Sequence, residues 1–285
     1  YSHLEINDTS LVGYWSFDET TGAYDLTNND NDGTFNGDAF VNISSNLKGG
    51  DYGGALELDG DGDYVNLPNT KEGGANDLDL TGSFTISIWT NCKESKSSYV
   101  VNNYDYKDGH FILLDSNSNG DGVDYRIHID DDVDPSYVET GEVALNEWHH
   151  ITAVRDFENE ARIYVDGVLS NSSSDTAGSD VNNAENDWRI GVSAYNSVVE
   201  NFNGSIDEVQ IFNRALNSTE IQEIYDSTYS RFYPEGNQTF KSQNITTGDN
   251  RVNITAEAET LNGSSLNASL WEADVEENTG YVDNN

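Results

Sequence analysis

Apolar and polar residues alternate with a period of two along most of the chain. Phe84, Ile86 and Ile88 are separated by Thr85 and Ser87, and Ala161, Ile163 and Val165 by Arg162 and Tyr164. Successive side chains of a strand point to opposite faces, so these runs, bounded by Gly, Asn and Asp clusters, predict short antiparallel strands. Asp166-Gly167 stands between IYV and VL. A two-residue hairpin turn needs positive φ at both central residues, and this pair suits it. One helix breaks the pattern. Asn217 is placed to cap it, Glu220 to reach back as the capping-box acid, and Ile221, Ile224 and Tyr225 share one face. Many short strands with one late helix predict an all-β sandwich.

One strand raises a question. Ile206, Val209 and Ile211 read as buried, yet Asp207 and Glu208 stand where that strand enters the core. Solvation at a strand end would explain them simply. Beyond Ser230 the alternation resumes with Val252, Ile254 and Ala256, then Leu266, Ala268 and Leu270. About three strands there are too few to stand alone. The expected division is therefore a sandwich over 1–229 and a β-rich segment over 230–285. That segment would cover the main sandwich, form part of a second β domain, or serve as a tail that donates a strand to a neighbour.

Charge narrows the partners. The 285 residues contain 13 Lys+Arg against 52 Asp+Glu, a formal net charge of −39. A polyanion has no electrostatic attraction to nucleic acid or to an anionic membrane. Acids spread along the whole chain suit concentrated salt, where screening removes self-repulsion. A single cysteine, Cys92, excludes an internal disulfide and reads as a small buried apolar residue. No run approaches the ~20 apolar residues of a membrane helix. No signal peptide is recognised, which predicts a cytosolic or already processed chain. Sequons favour export. They fall at Asn7, Asn42, Asn171, Asn203, Asn217, Asn237, Asn244, Asn253, Asn262 and Asn267.

Several constellations bear on chemistry. DSNSNG (115–120) matches the first half of an EF-hand loop, but Arg126 stands where the bidentate Glu belongs, so a polar hairpin turn is favoured. Alternation puts Glu57, Asp59 and Asp61 on one face, a spacing that a glycosidase could use. Gly60 and Gly62 instead suggest that the strand has already become a turn. His149 and His150 point to opposite faces and cannot easily share a metal. Tyr104, Tyr106 and Tyr195 lie beside Asp and Asn, which is equipment suited to sugars as well as to sealing a sandwich edge.

Six segments in order carry a resemblance. LVGYWSFDE (11–19), GGALELDGDGDYVNLP (53–68), GSFTISIWTN (82–91), NEWHHITAVRD (146–156), ARIYVDGVL (161–169) and FNGSIDEVQIFNRALNSTEIQEIY (202–225) resemble the laminin G-like, concanavalin A-like jelly rolls over roughly residues 8–229. The resemblance implies a two-sheet antiparallel jelly-roll sandwich with one short C-terminal helix. It also implies Ca²⁺ on the rim. Asp25 and Asn29 of YDLTNNDNDG match a ligand loop, Asp207 of the IDE motif would be the distant acid, and Asp18 would add an oxygen. Asn28 and Asp30 replace the glycines that flank the family's loop.

The resulting expectation is a non-enzymatic, calcium-binding recognition or adhesion module, extracellular or on the surface of a salt-loving cell. Its partner would be a glycan, met through Tyr104, Tyr106 and Tyr195, or a surface protein. The alternative is a structural subunit of a surface layer or filament, self-assembled by strand exchange through residues 230–285.

Overall fold

The computed structural model describes residues 8–43, 53–67, 78, 80, 82–103, 108–116, 122–131, 136–174, 187–194 and 200–232. The chain forms β1 (Leu11–Trp15), β2 (Thr34–Asn36), β3 (Phe40–Val41), β4 (Leu56–Asp59), β5 (Tyr64–Leu67), β6 (Phe84–Cys92), β7 (Ser98–Asn102) and β8 (Asp108–Ser116). It continues with β9 (Gly122–Asp131), β10 (Ser136–Glu139), β11 (Val143–Ala144), β12 (His149–Asp156), β13 (Glu160–Val165), β14 (Val168–Ser174), β15 (Trp188–Ile190) and β16 (Asn203–Phe212). One helix follows, α1 (Ser218–Phe232).

Among the described residues two eight-stranded sheets result. The first has the order β14-β13-β12-β6-β16-β4-β3, with β1 also paired to β16. The second has the order β10-β9-β8-β7-β15-β5-β2, with β11 also paired to β9. All the pairings are antiparallel, as the expected sandwich requires. The hairpin at Asp166-Gly167 forms with φ of 50° and 77°. Of DSNSNG, Asp115 and Ser116 end β8, paired with Asp124 and Val123 of β9, and residues 117–120 lie outside the described residues.

Alternation puts Phe84, Ile86, Ile88, Ile151, Ala153, Ile206 and Ile211 of the first sheet into the interior. There they meet Val65, Leu67, Tyr125, Ile127, Trp188 and Ile190 of the second. Each such side chain, fully buried, contributes roughly 1.5–3 kcal/mol.

The polar half of the alternation does not face water. Thr85, Ser87, His150, Thr152, Asp207 and Gln210 are all buried on the other face of the first sheet. Helix α1 lies over that face. Its capping box forms as expected: Asn217 Oδ1 accepts the N–H groups of Thr219 at 2.9 Å and Glu220 at 3.1 Å, and Glu220 Oε2 accepts that of Asn217 at 2.8 Å. Ile221 packs with Leu11, Val154, Tyr164, Phe212 and Leu216. Phe232 packs with Ala55, Trp89 and Trp148. Phe232 stacks on Trp89 with ring centroids 4.1 Å apart, while Trp89 donates its indole N–H to Thr228 Oγ1 at 2.7 Å. The helix thus runs three residues past Tyr229, the expected domain boundary, and its last residue is an anchor. The segment 233–285 lies outside the described residues.

Candidate functional site

Two polar centres stand out on the outer face of the first sheet. One is closed and lies under α1. The other is an open cleft near the β3 edge.

The closed centre answers the question of Asp207 and Glu208. The strand starts at Asn203, earlier than the sequence suggests, so both acids lie inside it and not at its mouth. The register between β16 and β6 slips between Asp207 and Gln210, and Glu208 has φ of 51°. This is a β-bulge, which lets two neighbouring acids turn toward the same side. Arg231 of α1 meets them. Its guanidinium lies 2.5 Å from Asp18 Oδ1 and 3.5 Å from Asp207 Oδ2, and it bonds Glu208 Oε1. Tyr14 donates its hydroxyl to Glu208 Oε2 at 2.6 Å. Burial drives the Asp207 carboxyl well above the usual carboxylate range, against the pull of Arg231. Burial and the neighbouring Glu208 carboxylate likewise push the Tyr14 phenol up.

The expected calcium ligands therefore fall in two places. Asp18 and Asp207 come together, but around a guanidinium. Asp25 is nearly buried and accepts four hydrogen bonds: Tyr14 N–H and Thr27 N–H at 3.0 Å on Oδ1, and Thr27 Oγ1–H at 2.9 Å and Asn31 N–H at 3.0 Å on Oδ2. Asn29 turns its amide N–H to Val12 O at 3.0 Å. The loop is thus sewn to β1 by Asp25 and Asn29. A calcium ion takes six to eight oxygens. As arranged, these four residues do not converge on one: Asp25 has both oxygens taken by N–H and O–H donors, Asn29 presents its amide N–H to Val12 O, and the positive charge beside Asp18 and Asp207 is that of Arg231.

The open cleft is lined by Asp38, Phe40, Asn42, Glu57, Leu58, Asp59, Asp63, Lys93 and Asn203. Pleating explains how they meet. Leu56 and Leu58 of β4 point to the core, so Glu57 and Asp59 point out. Phe40 pairs with Glu57 and Asn203 with Asp59 across the neighbouring strands. Glu57 Oε1 accepts Ser205 Oγ–H at 2.8 Å, and its Oε2 lies 2.9 Å from Lys93 Nζ. Gly60 (φ 85°) and Gly62 (φ 89°) turn the chain after β4, as the glycines suggest. That turn brings Asp63 back beneath Asp38 and Asp59, whose N–H groups donate to its two oxygens at 2.8 and 3.2 Å. Carboxylate oxygens of Asp38, Asp59 and Asp63 lie within 4.8 Å of one another, a group that could hold a metal ion. Burial raises the Asp63 carboxyl. Phe40 remains 53% exposed at the rim.

Of these cleft residues, sequence reasoning weighed Glu57 and Asp59. Asp38, Phe40 and Asp63 were missed, because they reach the cleft from separate elements. The apolar run Ala39-Phe40-Val41, which interrupts the alternation, was the one available signal. Tyr104, Tyr106 and Tyr195 lie outside the described residues, as do the sequons at Asn7, Asn237, Asn244, Asn253, Asn262 and Asn267. Asn171 and Asn217 are exposed, while Asn42 and Asn203 are half-buried. His150 is a core residue: its Nε2 lies 2.7 Å from Ser87 Oγ, and burial lowers its pKa to about 3. Among the described residues no helix is long and apolar enough to cross a membrane.

The family model of the concanavalin A-like lectin/glucanases superfamily matches residues 59–222. The chain belongs to this superfamily. No curated protein matches the chain. Solved structures share the fold of this superfamily member at low identity. The receptor-binding domain of botulinum neurotoxin C/D mosaic serotype is 16% identical with a TM-score of 0.59, over 76% of this chain and 51% of that one. The binding domain of Paraclostridial Mosquitocidal Protein 1 is 17% identical with a TM-score of 0.60, over 77% and 52%. The binding domain of botulinum neurotoxin DC in complex with SialylT is 15% identical with a TM-score of 0.59, over 77% and 52%. The chain spans about half the length of these structures, all of them binding domains on a lectin-like sandwich.

Proposed function

We propose that this domain is a non-enzymatic, extracellular or surface-borne glycan-recognition module. The open cleft carries the reading, because there the exposed ring of Phe40 stands beside Asn42, Glu57, Asp59 and Asn203. A sugar ring offers a C–H face that an aromatic ring covers, and hydroxyls that carboxylates and amides bond. The neighbours support it. One neurotoxin domain was solved with SialylT, and cell entry of another depends upon interaction with two ganglioside molecules.

Hydrolysis fits the cleft less well. A retaining glycosidase needs a nucleophile and an acid about 5–5.5 Å apart, with the acid able to reach the leaving oxygen. Glu57 is held by Lys93 and Ser205, and Asp63 is buried with both oxygens turned to backbone N–H groups. Calcium, in this reading, belongs to Asp38, Asp59 and Asp63. They offer three of the hard oxygens it takes, and a bound ion would offset the burial that raises Asp63. The acidic surface fits a salt-rich medium.

The test is a glycan array read with the whole chain and with Phe40→Ala. Phe40 is exposed, so the variant should melt as the parent does while losing tenfold or more of its binding. Parent-like binding by Phe40→Ala would move the site away from the cleft. Parallel losses in Tyr104→Ala, Tyr106→Ala or Tyr195→Ala would place it at those residues.

A further inference from the structure

We infer that the cleft selects sugars by charge: it takes a neutral or amino-substituted hexose and turns away uronic acids. The inference rests on the glycan reading and adds the ligand class. Four carboxyl groups line the cleft, those of Asp38, Glu57, Asp59 and Asp63, against one cation, Lys93. Lys93 is already committed, with its Nζ 2.9 Å from Glu57 Oε2. What faces a ligand is therefore a surplus of acceptors, carried by the exposed Asp38 and Asp59, since Asp63 turns its oxygens to backbone N–H groups and Glu57 is held by Lys93 and Ser205. Hydroxyl groups and an ammonium donate to such a surface, and the ammonium adds a charge-assisted bond of about twice the ordinary strength. A ligand carboxylate cannot donate. It would also enter a space where three acids already lie within 4.8 Å of one another. Among the described residues, none of those lining the cleft supplies a buried counter-charge of the kind that Arg231 supplies to Asp207.

Size limits the ligand further. The cleft holds about 230 Å³, below the ~300–1,000 Å³ typical of pockets for drug-sized ligands. One hexose ring, lying on Phe40, is what it accommodates. Bulk salt does not erase the selection. The acids and a bound sugar would be in direct contact, and the screening length is still about 3 Å at 1 M. A divalent cation on Asp38, Asp59 and Asp63 would reduce the negative charge without reversing it, since four acids face one lysine and one ion.

The experiment compares three sugars that share one ring: glucosamine, glucose and glucuronic acid, with the galactose series as a second set. Saturation-transfer NMR of the whole chain would read their binding at neutral pH, once with chelator and once with calcium. Expected is the order amino sugar, neutral sugar, uronic acid, with at least tenfold between the ends. Phe40→Ala should weaken all three alike. The double variant Asp38→Asn, Asp59→Asn should flatten the order while the neutral sugar still binds. Uronic acid bound as tightly as glucose, and lost in Phe40→Ala, would overturn the charge selection and leave the glycan reading standing. No sugar of either series bound by the parent chain would overturn both.

Discussion

Arg231 Nη2 and Asp207 Oδ2 stand 3.5 Å apart, the first on the last turn of α1 and the second on a strand residue with no exposed surface. This pair, with Glu208 and Asp18 around it, fastens the helix over the polar face of the sheet. Truncating one partner of a buried charge pair costs more than the pair contributes, because the other charge is left without compensation.

Arg231→Met should therefore lower stability by about 3–5 kcal/mol. Its aliphatic body is kept, so the loss reports the charge. Urea unfolding of the parent and the variant would measure it. A midpoint unchanged by the substitution would contradict the fastening role.

Two buried groups should tilt the pH profile in opposite directions. His150 is held neutral down to about pH 3. Its pKa is depressed on folding, so the native state binds fewer protons, and its contribution is lost as pH falls from about 6.5. The Asp207 carboxyl is raised on folding, so the native state binds more protons. Its contribution is present in acid and lost as pH rises above the usual carboxylate range. His150→Gln should flatten the acid limb of the stability curve, and Asp207→Asn the limb above it. Thermal melts from pH 3 to 9 would show each slope vanish in its own variant.

The last turn of the helix belongs to the packing of the sandwich. A chain cut after Phe232 keeps Arg231 and Phe232, whereas one cut after Tyr229 loses both. Removing a buried aromatic costs about 3–5 kcal/mol by itself. The shorter chain should unfold at clearly lower urea than the longer one. Equal midpoints would mean that the stacking on Trp89 contributes little.

Salt should stabilise the whole chain. With a net charge of −39, self-repulsion is severe at low ionic strength. It weakens as the screening length falls from about 10 Å at 0.1 M to about 3 Å at 1 M. Melting temperature should rise steadily between those concentrations in sodium chloride. A flat response would argue against adaptation to brine.

Much of the fold was legible in local pattern. The Phe84–Ile88 alternation, the Asp166-Gly167 turn and the Asn217/Glu220 cap each involve residues at most four apart, and each formed as read. The polar positions of the same strands were not legible as buried. Nothing in Thr85, Ser87 or Thr152 announces that a helix from residue 218 onward will cover them. Asp207 and Glu208 were noticed, but their partner is Arg231, more than twenty residues along and on a different element. The cleft was hidden for the same reason: Asp38, Glu57 and Asn203 become neighbours only when β3, β4 and β16 pair.

That pairing order has a consequence during synthesis. The strand β16 lies between β6 and β4 and also carries β1, so the middle of the first sheet is supplied last. Asp8 waits for Arg214 and Asp18 for Arg231, partners more than 200 positions downstream. At ~5–20 residues per second, the nascent chain carries an unfinished sheet for roughly 10–40 s before β16 leaves the ribosome. From the completion of β6 to that of β16, roughly 6–24 s at the same rate, the edges of β6 and β4 are open templates. The dense negative charge, 52 Asp+Glu against 13 Lys+Arg, would also hold neighbouring nascent chains apart while those edges wait.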